Sequence, residues 1–153
     1  MSGAQLAGPR PQSVLFACTF NAVRSPIAEG LGRRLFGREV YFASVGVKAG
    51  ELDAFAVAAM DEIGVDISRF RPQTFENLED MSFDLIVSLS PEAHHRALEF
   101  TRALALKAIY WPTLDPTAVE GSRELRLAAY RAVRDSLEAR IKDLLAWRPA
   151  ASV

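Results

Sequence analysis

The sequence predicts an α/β fold built on a parallel sheet, and two observations carry that expectation. Short apolar, β-rich runs alternate along the chain with longer stretches of helical periodicity. The runs are continuously apolar, as in strands covered on both faces, where a half-exposed strand would alternate. A length of 153 residues fits a single domain with a core of ordinary size.

The elements follow in order. A strand is expected at Val14–Ala17 and a helix at Pro26–Phe36, with Ser25 as N-cap and Pro26 in the first helical position. A second strand at Val40–Val45 leads to a helix at Leu52–Ile63, where Gly64 suits a left-handed terminus. The third strand, Phe83–Leu89, is followed by a helix at Pro91–Ala105. The fourth, Ala108–Trp111, precedes a long helix at Ser122–Trp147. In that last helix Leu125, Ala129, Val133, Leu137, Ile141 and Leu145 recur every four residues as an apolar stripe. Arg131, Arg134, Asp135, Glu138 and Lys142 read as its solvated face. Residues 1–12 and 149–153 are small, Pro-containing and poor in apolar bulk; they read as a disordered N-terminal tail and a C-terminal tail around a domain at 13–148.

Composition narrows the function. Eighteen Lys and Arg against nineteen Asp and Glu give a net charge of −1, without the basic footprint of a dedicated nucleic-acid binder. No apolar run approaches the ~20 residues of a membrane span, and the first residues lack the apolar segment of a secretory signal. The expected location is therefore the cytoplasm, with no nucleic-acid or membrane partner. A single cysteine excludes an intrachain disulfide framework and a multi-cysteine zinc site. His94-His95 lies inside a predicted helix with no third ligand and reads as a solvated pair, so no metal is expected. Arg69, Arg71 and Arg96 read as surface charges, with Arg71 able to border a substrate cleft.

In open parallel sheets, ligands bind beyond the carboxyl ends of the strands, where the strand order reverses. If the first strand is internal, that point follows Ala17, and the next residue is the only cysteine. Cys18-Thr19-Phe20-Asn21-Ala22-Val23-Arg24-Ser25 joins strand to helix. A loop that wraps a tetrahedral oxyanion turns backbone N–H groups inward, toward the positive end of the following helix. Thr19, Phe20, Asn21, Ala22, Val23 and Arg24 are the candidate phosphate-binding residues. Arg24 can take two equatorial oxygens through its planar fork, and the same dipoles stabilise a thiolate at Cys18. Ser25 is placed to donate a hydroxyl hydrogen bond to that sulfur. The bland alternative is a small buried cysteine, a surface arginine and a helix cap. Asp115, in Trp111-Pro112-Thr113-Leu114-Asp115-Pro116, lies beyond the last strand and so at the same sheet edge. Asp-Pro is also an ordinary turn signal.

Val14-Leu15-Phe16-Ala17-Cys18 through Arg24-Ser25-Pro26-Ile27-Ala28-Glu29 resembles the signature of the low-molecular-weight protein tyrosine phosphatase superfamily, which includes arsenate reductases. Ser44-Val45-Gly46, Gly64-Val65-Asp66-Ile67-Ser68, Phe83-Asp84-Leu85-Ile86-Val87 and Asp115-Pro116 extend the likeness to about Leu145. The resemblance implies a four-stranded sheet in order 2-1-3-4 with helices on both faces, a flavodoxin-like three-layer sandwich. It also implies a cofactor-free cysteinyl-phosphate mechanism, with Cys18, Arg24, Ser25 and Asp115 catalytic and Asp115 as general acid and base. The substrate implied is a phosphorylated protein or a small phosphomonoester.

Four departures bear on substrate. Phe20 replaces a usual glycine, so either its backbone is not left-handed or its ring lines the entrance. Val23 replaces a neighbouring cysteine, Thr117-Ala118 an aromatic pair, and Lys48 stands where an aromatic wall is common. Thr19, Asp115–Gly121 and Ala129–Asp135 look more like the arsenate-reducing branch, whereas Pro26 does not. Phosphomonoester hydrolysis is the first expectation and arsenate transfer to a low-molecular-weight thiol, the single-cysteine route, is the alternative. A silent phosphate-binding module would lack the nucleophile or the acid, yet Cys18, Arg24 and Asp115 are all present.

Overall fold

Residues 10–146 are described by a computed structural model. Four strands, β1 (Ser13–Cys18), β2 (Tyr41–Gly46), β3 (Leu85–Ser88) and β4 (Lys107–Tyr110), form one parallel sheet in the order β2-β1-β3-β4. Four helices, α1 (Arg24–Phe36), α2 (Ala54–Asp61), α3 (Pro91–Thr101) and α4 (Arg123–Leu145), cover it. The sandwich and the strand order are those expected.

Successive strand residues point to opposite faces, so β1 feeds two cores. Val14, Phe16 and Cys18 pack with α1, α2 and α4, whereas Leu15 and Ala17 pack with α3 through Ala93 and Ala97. β1 is buried on both faces and paired on both edges, so its end is firmly held within the sheet. The register sets Cys18 against Gly46, and the loop leaves the sheet between β2 and β3.

The long helix keeps its predicted face at Val133, Leu137, Ile141 and Leu145 and departs from it toward its start. Leu125 is 60% exposed, and the buried positions are Leu127, Tyr130, Val133, Arg134, Leu137, Ile141 and Leu145. A strict four-residue repeat drifts around a helix of 3.6 residues per turn, so the true contact face slides off the predicted stripe. Arg134 is buried rather than solvated; it donates to the Ala59 carbonyl (2.7 Å) and pairs with Glu62 (2.9 Å) and Asp135 (2.8 Å). The start of α1 also differs. Val23 is the N-cap, without a side-chain bond, and Ser25 and Pro26 lie inside the first turn. Gly64 takes the expected left-handed conformation (φ 77°).

Of the tails, residues 1–9 and 147–153 lie outside the described residues, and with them Trp147. Residues 10–12 are docked: Arg10 pairs with Glu39 and bonds the Leu145 carbonyl, and Tyr41 N–H donates to the Gln12 carbonyl. Among the described residues no helix is long and apolar enough to cross a membrane.

Glu62, just past α2, joins that helix to α4 through Arg131 and Arg134. Hydrogen bonds from these two guanidiniums hold its carboxyl down to about 2. A depressed carboxyl contributes stability above its ordinary value, and the contribution is lost as pH falls through the depressed one. Glu62→Gln is therefore expected to lower the urea midpoint near neutral pH, and its deficit to shrink as pH falls from ~4.5 toward ~2. Unfolding curves of both proteins across that range check it.

Candidate active site

The loop between β1 and α1 is held by its carbonyls. Those of Cys18, Thr19, Phe20 and Ala22 accept, respectively, from the N–H groups of Val47, Lys48, Gly50 and Asp53, all in the segment after β2. By contrast, the N–H groups of Thr19, Phe20, Ala22, Val23 and Arg24 have no partner among the described residues. With carbonyls committed on one side and amides free, adjoining the N-terminus of α1, the loop has the donor pattern of an anion cradle.

Asn21 makes the turn. It alone among the described non-glycine residues has positive φ (54°), a conformation that Asn tolerates through local side-chain bonds. Phe20 is therefore not left-handed. Its ring is instead half exposed and lines the cavity above the loop, so both expectations for that position hold.

The Asn21 amide is oriented without ambiguity. Gln73 N–H can only donate, so Oδ1 faces it (2.8 Å) and Nδ2 donates to Ser25 Oγ (2.7 Å) and Ser44 Oγ (3.1 Å). Ser25 Oγ thereby receives one hydrogen, and it lies 2.8 Å from Cys18 Sγ and 3.4 Å from the Val45 carbonyl, so its own hydrogen has both within reach. Asn21 N–H also reaches the sulfur (3.3 Å). Ser44 in turn donates to Glu29 Oε1 (2.7 Å), and Arg33 pairs with the other oxygen. Burial pushes the Glu29 carboxyl up, against the pull of Ser44 and Arg33.

A cavity of about 260 Å³ opens above the loop, lined by Cys18, Phe20, Ala22, Val23, Arg24, Glu51, Asp53, Asp115 and Thr117. Cys18 is 2% exposed, at its floor. Arg24, also buried, spends one N–H on the Thr113 carbonyl (3.1 Å), which ties α1 to the segment carrying Asp115; its other side-chain donors have no partner among the described residues. Asp115 Oδ1 accepts from Thr117 N–H (3.0 Å) and hydroxyl (2.7 Å), leaving Oδ2 unbonded. Cys18, Arg24 and Asp115 thus meet in one cavity, with Ser25 behind the sulfur. The Thr19 side chain turns away, toward Ser90 (3.0 Å) and Glu92 (3.2 Å).

Several contributors escaped the sequence reading. Asp53 caps α2, accepting from Phe55 N–H (2.7 Å), and its second oxygen accepts from Tyr130 hydroxyl (2.8 Å). An Asp ahead of an apolar helical pattern was a usable capping signal; its tie to Tyr130, 77 residues on, had none. Gly46 sits against the loop, and a Cβ there would lie 2.7 Å from Asn21 N and 2.4 Å from the Lys48 carbonyl oxygen. Of the residues set aside, His95 is exposed, whereas His94 is partly covered and stacks on Tyr110 (4.9 Å between rings). Arg96 is not a free surface charge, lying over Phe75 and Phe100 and pairing with Glu76 and Glu99. No group of metal-ligating side chains occurs among the described residues.

Comparison with known proteins places the architecture. The sequence profile of the low molecular weight phosphotyrosine protein phosphatase family matches residues 13–150. Arsenate reductase of Halalkalibacterium halodurans is 35% identical over 129 residues, 84% of this chain and 91% of that protein. Arsenate reductase of Bacillus subtilis is 32% identical over 130 residues, 85% and 92% of the two chains. Among solved structures, a low molecular weight protein tyrosine phosphatase from T. tengcongensis superposes with a TM-score of 0.72 at 26% identity, covering 88% of this chain and 98% of that one. An arsenate reductase in its phosphate-binding state gives 0.69 at 26% identity, over 88% and 97%. With nearly the whole described fold inside the matched span, the chain belongs to the low molecular weight phosphotyrosine protein phosphatase family.

Proposed function

We propose that this enzyme transfers arsenate to an external low-molecular-weight thiol through a covalent intermediate on Cys18. The observation that carries this reading is the likeness to arsenate reductases, 35% identity across 84% of the chain. The site geometry supports it. The free amides of the loop and the unspent donors of Arg24 suit a small tetrahedral oxyanion, phosphate or arsenate alike.

The steps follow from the positions of the groups. Cys18 thiolate, stabilised by Ser25 hydroxyl and Asn21 N–H, attacks arsenic. A sulfur–arsenic bond forms and an arsenic–oxygen bond breaks, with Asp115 supplying the proton that lets the oxygen leave as water. The external thiol then gives its proton to Asp115, and its sulfur displaces Cys18 from arsenic. The net change is arsenate plus thiol to arsenothiol plus water, with arsenic still pentavalent. Reduction to arsenite follows when a second external thiol attacks the sulfur of the adduct, forming a disulfide. The single cysteine leaves this redox step to external thiols.

A second reading, phosphomonoester hydrolysis by the same residues with water as acceptor, is favoured by Phe20, whose half-exposed ring offers an apolar wall for an aryl group. One preparation decides between them. Arsenothiol and arsenite formation, followed by mass spectrometry with 2-mercaptoethanol as acceptor, is expected to exceed hydrolysis of p-nitrophenyl phosphate and phosphotyrosine in kcat/KM. The opposite ranking returns the enzyme to the hydrolases. Cys18→Ser is expected to abolish turnover while oxyanion binding survives, because the cradle is backbone.

Two variants test the remaining parts. Asp115→Asn should lower the first-step rate by about 10²–10⁴-fold, the scale of general-acid catalysis. An unchanged rate would leave Asp115 as a loop former. Gly46→Ala should raise the dissociation constant for phosphate by about tenfold or more, since its Cβ displaces the loop backbone and 1.4 kcal/mol of lost contact is one decade. Isothermal titration with phosphate checks this, alongside circular dichroism to confirm the fold.

A further inference from the structure

The walls of the cavity carry a charge pattern that the oxyanion chemistry does not use. Among the described residues Arg24 is the only cation lining it, against three carboxylates: Glu51, Asp53 and Asp115. Once an oxyanion fills the loop, the guanidinium at the floor is matched to it, and the opening presents carboxylates alone. Asp53 is fixed there by its helix-capping bond and by Tyr130. Burial and the adjacent Asp53 raise the proton affinity of the Tyr130 phenol, so this partner brings no charge of its own to Asp53. Glu51 is exposed and has no ion-pair or hydrogen-bond partner among the described residues. Arg123 and Arg126 of α4 lie over the Phe55 ring (5.2 and 4.7 Å) and do not line the cavity, although Arg126 is near enough to Tyr130 to act on its phenol.

Resting on the thiol-transfer reading, we propose that the acceptor is an aminothiol, its ammonium group received at the mouth by Glu51 and Asp53 while its sulfur reaches arsenic on Cys18. Glu51 and Asp53 are then specificity-determining residues. The chemistry is unchanged: the acceptor's S–H proton passes to Asp115, its sulfur bonds arsenic, and the bond to Cys18 breaks. What the carboxylates add is selection between acceptors. An anionic thiol meets like charge on three sides, whereas an ammonium on a short arm is drawn to the same place. Two carboxylates within ~6 Å of an exposed charge, screened at physiological salt, amount to a preference of about tenfold or more.

The test uses three thiols of similar size: cysteamine (cationic), 2-mercaptoethanol (neutral) and 2-mercaptoethanesulfonate (anionic). Rates of arsenate turnover are compared at equal thiolate concentration, which removes their different acidities. Wild type is expected to favour cysteamine over the sulfonate by about tenfold or more at low salt, with the ratio falling as salt rises. Glu51→Gln should reduce that ratio several-fold and Glu51→Lys should invert it. Both changes are at an exposed position with no hydrogen bond or ion pair among the described residues, and circular dichroism confirms that the fold is kept.

A second arm needs no turnover. Cys18 is the only thiol, so its modification by aminoethyl and sulfonatoethyl methanethiosulfonate, followed by intact mass, reads the field at the mouth directly. The cationic-to-anionic ratio should fall in Glu51→Gln here too. Turnover with the same ratio in wild type and Glu51→Gln overturns the acceptor assignment and leaves the transfer reading standing. Absence of turnover with all three thiols overturns the transfer reading and the acceptor assignment together.

Discussion

An anion cradle made of backbone exists only while the carbonyls of the same peptides are bound somewhere else. Here they are bound by the segment from Val47 to Asp53, which leaves β2 and runs beside the loop. Each outward carbonyl fixes the plane of a peptide whose N–H then has nowhere to turn but away from that segment. The parallel pairing of β1 with β2 is therefore more than scaffolding. It delivers the donor segment in register with the loop, and Gly46, facing Cys18, lets the two backbones approach closely. The rest of the site is arranged around that contact.

The side-chain network beneath the loop does for the sulfur what the carbonyl bonds do for the amides. Gln73 orients Asn21, Asn21 bonds Ser25, and Ser25 Oγ is held against Cys18 Sγ. The chain of bonds continues through Ser44 to Glu29, whose buried carboxyl needs both Ser44 and Arg33 to remain in place. Nearly every polar group in this layer is buried and satisfied. Such a layer favours one geometry strongly over its neighbours, because breaking any single bond strands a polar group away from water.

Most of the fold and the centre of the site were legible in the sequence for physical reasons. Runs such as Phe83–Leu89 are apolar on both faces because both faces are covered. The thiol, the arginine and the aspartate stand out because they sit just beyond strand ends, where a parallel sheet gathers its ligands. What was not legible depends on contacts far apart along the chain. The position of Leu125 followed from a four-residue repeat that the helix does not keep. Arg134 reads as a solvent-facing charge until Ala59 and Glu62 are brought against it. Ser25 was legible as a neighbour of the sulfur but not as an interior helix residue, because Ser-Pro commonly opens a helix and α1 begins two residues before the expected Pro26, at Arg24. Asp53 and Glu51 face Cys18 only because α2 is set beside the loop.

Cys18 is almost wholly covered, at the point where β1, the loop and α1 meet. The chain has no second thiol, so this sulfur is a built-in reporter that needs no introduced probe. A label narrow enough to enter the cavity above the loop reads that approach directly, whereas one too wide for it reacts only in molecules whose local structure has opened. Where opening and closing outpace labelling, the gap between the two rates becomes a free energy of local opening.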